Sequence, residues 1–435
     1  MTIKTDTGSQ STTVSARDLL KILDFRRLWL GQIVSQFGDA LTHLTLILFL
    51  NRITGGSTQA IAVLLIALTL PTATLGLVAG VFVDRWQRKR VMIVSDVLRA
   101  GLTLGFAAAV VWDQLWLIYV IAFLHASVSA FFDPARSATL PRVVPEEGLL
   151  AANSLSQMST IFFRVLGTAA AGFLVGTLNN FQLAFYADAA TFFVSALLLS
   201  RLRLPPRELA QAAQVNLRAI WRELSAGLGI IVRTRVLAGI LVAMAVTMLG
   251  IGALNVLLAP MVVNELRLPE TWFGALEFTQ TSAMIVGGMF VTMLAARFKS
   301  TSIVSSSLIV LGLGAAAFYT VTKIWHLFPI LFGIGLVVTP LNAAITTLMQ
   351  TAVSNELLGR ISSALNAVIQ SSSLISMFLA GTVAALVGVR NVFVISGAII
   401  VIAGFASAGV FRGYGRPSLS PGLVLTASPA LDNKE

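Results

Sequence analysis

Apolar residues come in long runs of about twenty, separated by short polar or basic breaks. Wound as an α-helix at 1.5 Å per residue, a run of that length matches a hydrocarbon core of about 30 Å. The pattern predicts spans near 28–50, 58–83, 91–112, 115–139, 153–178 and 181–203. Six more fall near 236–262, 271–296, 302–322, 326–349, 361–387 and 391–411. The expected fold class is therefore an all-α polytopic membrane protein, with about twelve transmembrane helices in two six-helix halves. The breaks divide the chain into a tail (1–24), a first half (25–203), a linker (204–235), a second half (236–411) and a tail (412–435).

The linker opens with Pro205-Pro206. Leu217, Ile220, Leu224, Leu228 and Ile231 then recur at helical spacing, with Arg218, Arg222 and Glu223 facing away. That is an amphipathic helix lying on the inner membrane surface. Residues 1–16 are rich in Ser and Thr and are expected to be disordered. The polar first twenty-five residues contain no cleavable signal, so the first span is expected to direct insertion itself.

Composition agrees with the pattern: 56% of residues are hydrophobic and 11% charged, where a soluble domain carries about 25% charged residues. The net charge of +11 does not point to nucleic acid, because the cations fall in alternate loops. One set holds Arg17, Lys21, Arg26, Arg27, the run from Arg85 to Arg90, Arg142, Arg201 to Arg235, Arg297, Lys299, Arg360, Arg412 and Arg416. The other holds only Arg52, Arg267, Lys323 and Arg390. By the positive-inside rule both termini are expected in the cytoplasm, which places the chain in the cytoplasmic membrane. Cysteine is absent and the three histidines are far apart, so no metal centre, disulfide or cofactor is expected.

Polar residues inside the spans mark where function would lie. In the first span Gln32, Ser35, Gln36, Asp39 and His43 form one stripe. Asp39 at membrane depth costs several kcal/mol against lipid, so the stripe must face a cavity or a partner helix. His125, Ser129, Asp133 and Arg136 repeat the pattern in the fourth span. Thr339, Asn342, Thr346 and Gln350 do so in the tenth, and Ser362, Asn366, Gln370 and Ser373 in the eleventh. The seventh is weaker, with Thr247 and Asn255. Each stripe equally suits interhelical hydrogen bonding. Asp39 and Arg164 both lie about 16 Å deep from the same face, so a pair between them is geometrically open. Asp188 and Glu277 are alternative carriers of a proton, and His43, one turn from Asp39, is placed to tune it.

The loop Gly80-Val-Phe-Val-Asp84-Arg85-Trp-Gln-Arg88-Lys89-Arg90 joins the second and third spans. Its spacing resembles the signature loop of the major facilitator superfamily, with Gln87 where Gly is usual. Phe131-Phe-Asp-Pro-Ala-Arg136, Leu140-Pro141, Ala152-Asn-Ser-Leu155, Phe185-Tyr-Ala-Asp-Ala189 and Leu358-Gly-Arg-Ile361 resemble the branch containing macrolide-efflux proteins and the enterobactin exporter. Two departures stand out. Gly167-Thr168 replaces the Gly-Pro of many drug:proton antiporters, with Gly172 and Gly176 retained. The second-half copy of the loop is reduced to Ala295-Ala-Arg-Phe-Lys299.

The resemblance implies a secondary transporter that exports an amphipathic small molecule, drug- or macrolide-like, by alternating access and proton antiport. It implies a monomer in the lipid bilayer whose first, fourth, seventh and tenth helices line the cavity. Asp84 would latch the start of the eleventh helix near Ile361–Ser363, with Arg136 completing the network, Gly80 allowing close packing, and Asp96 pairing with Arg99 near the same face. Siderophore export and lysophospholipid transport are the alternatives within the fold. A membrane enzyme or a non-transporting receptor are those outside it. Neither Gly-x-x-x-x-Gly-Lys-Ser/Thr nor Gly-x-Ser-x-Gly nor His-Glu-x-x-His occurs, so no nucleotide site or catalytic residue is expected.

Overall fold

The computed structural model describes residues 16–204, 217–353 and 355–411. Among these every regular element is helical. A short α1 (Ala16–Lys21) precedes α2 (Leu23–Ile53), α3 (Thr58–Arg85), α4 (Arg88–Val111), α5 (Leu115–Val143), α6 (Leu149–Gly176) and α7 (Phe181–Ser200). The linker helix is α8 (Leu217–Arg233). Then come α9 (Arg235–Ala259), α10 (Trp272–Arg297), α11 (Ser300–Ala317), α12 (Ile324–Ala352), α13 (Asn355–Val387) and α14 (Val389–Val410). A π-helical turn, Pro260–Glu265, ends α9. Twelve of the described helices are long and apolar enough to cross a membrane, as the hydrophobic pattern predicts. The reason is physical: a backbone in lipid must satisfy its own hydrogen bonds, and a helix does so within one segment. Pro71, Pro134, Pro141, Pro329 and Pro340 all lie inside spans, which neighbouring helices make tolerable.

The first tail contains a helix that the sequence pattern does not show. The hydrophobic pattern puts residues 17–24 in the tail, yet α1 is ordered and Leu19 is fully buried. Leu19 packs with Phe25, Leu28, Val83, Met92, Phe132 and Leu199. Six residues are too few for a hydrophobic period to show in sequence. Residues 1–15, 205–216 and 412–435, including Pro205-Pro206, lie outside the described residues. In α8, Ile231 is buried and Leu228 exposed.

By packing, the chain forms two units. One takes the chain up to Thr45 together with Thr74–Ala213, and the other takes Leu46–Ala73 with the chain from Gln214 onward. The division thus runs through the bodies of α2 and α3. In the first unit α4 packs against both α5 and α7. The second repeats that arrangement, with α11 against α12 and α14, and adds α9 against α13 and α14.

The second unit also holds the far ends of α2 and α3. Asn51 and Asn264 exchange amide hydrogen bonds of 2.9 and 3.2 Å, and Arg52 donates to Glu270 at 2.8 Å. Thr58 donates to the Gly381 carbonyl at 2.7 Å. Gly55 and Gly56 make the α2–α3 turn at φ of 64° and 89°, which only glycine adopts without strain. Arg390 pairs with Glu265 at 2.5 Å.

A close helix crossing in this unit is that of α11 on α14. A Cβ at Gly312 would lie 2.6 Å from the Gly397 carbonyl oxygen, and one at Gly397 would lie 2.5 Å from that of Gly312. Buried Ser305 and Ser407 share a 2.8 Å hydroxyl hydrogen bond nearby. Small residues let backbones approach where no water drives helices together. Gly397→Val should therefore force the pair apart at a cost of about 1–3 kcal/mol. A lowered thermal unfolding midpoint of the detergent-solubilised protein measures it, and an unchanged midpoint would deny the crossing.

Candidate functional site

An ionic cluster lies inside the first unit, built from α2, α4 and α7. Arg99 of α4 is 2% exposed. One Nη donates to Asp96, one turn earlier on the same helix, and the other meets Asp39 of α2 at 3.4 Å. The guanidinium is sandwiched between the Phe132 and Phe192 rings, 4.6 and 4.4 Å from their centroids. Stacked aromatic faces are the surroundings a weakly hydrated guanidinium tolerates when it leaves water.

Asp188 of α7 completes the group. Its carboxylate accepts from Thr191 at 3.1 Å and from Thr103 of α4 at 3.5 Å. It also packs onto α2, where a Cβ on Gly38 would collide with Asp188 Oδ1. On another side of α2, a Cβ on Gly167 of α6 would collide with the Phe37 carbonyl oxygen and fall 2.9 Å from Ala40 Cβ. Two glycines thus bring α6 and α7 against the turn that carries Asp39. Asp96 and Asp188 are sealed, whereas the Asp39 side chain keeps 28% of its surface exposed.

Two carboxylates pair with the one guanidinium here, and a third, Asp188, is bonded to hydroxyls beside them. Among the described residues, Arg99 Nε and the Nε2 of His125 are buried with no hydrogen-bond partner. His125 is held by the Phe106 and Phe192 rings at 6.2 and 5.7 Å. The described residues contain no group of three or more His, Cys, Asp or Glu arranged to hold a metal ion.

The expected residues are placed as follows. Asp39 has a different ion partner from the one its depth suggested: Arg99 rather than Arg164. Arg164 on α6 and His43 on α2 are both exposed. Depth along two helices fixes neither their rotation nor their adjacency. Asp96 and Arg99 do pair, but within the cluster and not as part of a surface latch. Glu277 is half-buried on α10 in the second unit.

Arg136 donates to Gln32 Oε1 at 3.1 Å and lies 3.6 Å from Asp133. Gln32 in turn donates to Thr160 at 2.9 Å, and Ser35 to the Gln32 carbonyl at 3.1 Å. Gln32 is therefore spent in bonds to two other helices, Ser35 bonds within its own helix, and the fourth-span stripe divides between a ring-packed His125 and a Gln32-bound Arg136. Gln36, Ser129 and Gln370 are half-buried, whereas Asn255, Asn342, Thr346 and Asn366 sit on exposed faces.

In the signature loop, Arg88 donates to the Ala138 carbonyl at 2.6 Å and Lys89 to that of Leu202 at 2.8 Å. The Leu202 carbonyl lies just past the C-terminal end of α7, where a cation is favoured. The Asp84 side chain and the surroundings of Gly80 lie outside the described residues. Sequence reasoning missed Arg99 as the centre of the cluster. The signal was present, because Asp96, Arg99 and Thr103 recur at i, i+3 and i+7 in the third span.

With this geometry in place, comparison with known proteins is informative. A family model described as Major Facilitator Superfamily matches residues 28–377. Macrolide efflux protein A of Streptococcus pyogenes is 24% identical over 383 residues, 87% of this chain and 94% of that one. The uncharacterised MFS-type transporter YkuC of Bacillus subtilis (strain 168) is 25% identical over 358 residues, 79% of this chain and 82% of its own. Among solved structures, a point mutant of the nucleoside transporter NupG superposes with a TM-score of 0.73 at 14% identity, covering 89% of this chain and 99% of that chain.

Truncating one partner of a buried ionic group leaves the others uncompensated, at about 3–5 kcal/mol. Arg99→Met should lower the unfolding midpoint clearly, and Arg99→Met with Asp96→Leu should regain part of the loss. Thermal melts of both variants decide this, and equal loss in the two would show that the charges are not coupled.

Proposed function

The chain belongs to the major facilitator superfamily, and on that premise we propose that it exports an amphipathic or hydrophobic small molecule by alternating access, driven by proton antiport through the Asp39–Arg99–Asp188 cluster. The twelve spans and the family make it a multi-pass membrane transporter. Likeness to macrolide efflux protein A over nearly the whole length supports export of a drug-like cargo. The Lys/Arg-rich loops support an orientation with both termini in the cytoplasm.

The observation that carries the coupling is the uneven access of the three carboxylates. Asp39 is reachable while Asp96 and Asp188 are sealed. In this reading Asp39 exchanges a proton with the transport path. When it is neutral, its ion pair with Arg99 is lost and Arg99 is left to Asp96. That changes what holds α2 against α4, and an ion-pair rearrangement at a helix contact is a two-state event of the kind alternating access needs. Exposed Asn255, Asn342 and Asn366 on the second-half helices offer neutral hydrogen-bonding groups for a cargo that is mostly apolar.

Purified protein in proteoliposomes with an imposed pH gradient tests this against a panel of fluorescent amphipathic drugs. Gradient-driven movement should fall at least tenfold in Asp39→Asn, while binding of the same drug persists. Gradient-driven transport at the wild-type rate in a well-folded Asp39→Asn protein would remove Asp39 from the coupling step.

A further inference from the structure

The first unit contains a groove that the transport reading does not use. It holds about 660 Å³ between α4 and α5, beside the loop that joins α3 to α4. Its walls are apolar: Val94, Leu98 and Leu124 are all large and exposed. Val91, Val94 and Leu98 follow one face of α4, so the groove runs about 10 Å along that helix. One leaflet of a hydrocarbon core is about 15 Å deep, so the groove has the reach of a lipid acyl chain within that leaflet. Its loop end is different. Arg85, Trp86 and Arg90 line it there, and Trp86 is fixed by Phe82 and Phe131 at ring distances of 5.6 and 6.2 Å. Arginine beside an interfacial tryptophan is the chemistry of a phosphate at the headgroup level.

The second unit repeats the construction. A cavity of about 580 Å³ is lined by α10, α11 and α12, with Met293, Val310 and Val337 among its apolar walls. Phe298 of the α10–α11 loop lines its end, where Trp86 stands in the first. The chain neighbours of Phe298, Arg297 and Lys299, are exposed cations. Among the described residues, no acidic side chain lines either groove. One such groove is a local gap in packing. Two of them, each between corresponding helices and each beside a loop aromatic with cations next to it, form a repeated feature with charge complementarity to one class of molecule.

We propose that each groove binds one anionic phospholipid, its acyl chain along α4 or α11 and its phosphate on the loop cations: Arg85 and Arg90 in the first unit, Arg297 and Lys299 in the second. The arginines set headgroup preference, since a zwitterionic lipid brings no net charge to them. The proposal is independent of cargo and coupling ion.

Native mass spectrometry of the full-length protein in detergent, titrated with phosphatidylglycerol or phosphatidylcholine, tests it. Wild type should retain two phosphatidylglycerol molecules and release phosphatidylcholine. Arg85→Gln with Arg90→Gln should weaken one site about fivefold per cation removed and leave the other intact, which also reports that the variant is folded. Arg297→Gln with Lys299→Gln should remove the second site in the same way. Leu98→Trp fills the first groove with both arginines kept and should also lose one lipid. Wild-type retention in either charge variant, equal retention of phosphatidylcholine, or indifference to Leu98→Trp would each overturn the proposal, the last by showing surface charge without a groove.

Discussion

A guanidinium inside a lipid-embedded helix bundle cannot stand alone, and meeting that demand at Arg99 organises the first unit. Asp96 supplies one counter-charge from the same helix and Asp39 the other from α2. Phe132 and Phe192 close the two faces of the guanidinium plane. For Asp39 to be in reach, α2 must run close to its neighbours, and Gly38 and Gly167 supply that closeness. Charge pairing, aromatic shielding and glycine placement are here one arrangement, since each depends on the other two.

The spans were legible because the bilayer imposes one strict rule on both length and polarity. That Asp39 could not face lipid was legible for the same reason. Its partner was not. Depth along a helix follows from counting residues, but rotation about the axis and the identity of the adjoining helix follow from packing, here from two glycines whose meaning is invisible without their neighbours. Gly167 stands out in the sequence only as a departure from a Gly-Pro pair; in the structure it is where α6 meets the Asp39 turn. The fourth-span stripe showed spacing but not partners: the bundle sets His125 among rings and bonds Arg136 to Gln32 of α2. The α1 helix was too short for any periodicity to reveal.

The signature loop carries several roles within a few residues. Arg88 and Lys89 serve the carbonyls of Ala138 and Leu202, which ties the loop to the unit's frame. Trp86 is packed by rings, and Arg90 stays exposed. Neighbouring cations of one loop are therefore not equivalent: some complete the fold and others remain available to the surroundings. Loss of activity on mutating this loop will not by itself distinguish a damaged frame from a damaged gate.

The helix α2 carries two polar contacts of opposite character. Around Asp39 the contact is ionic. At its far end, Asn51 meets Asn264 through a pair of neutral amides, which neither gain nor lose charge in the physiological range. One helix thus carries a charged contact and a neutral one, joined by a single continuous backbone.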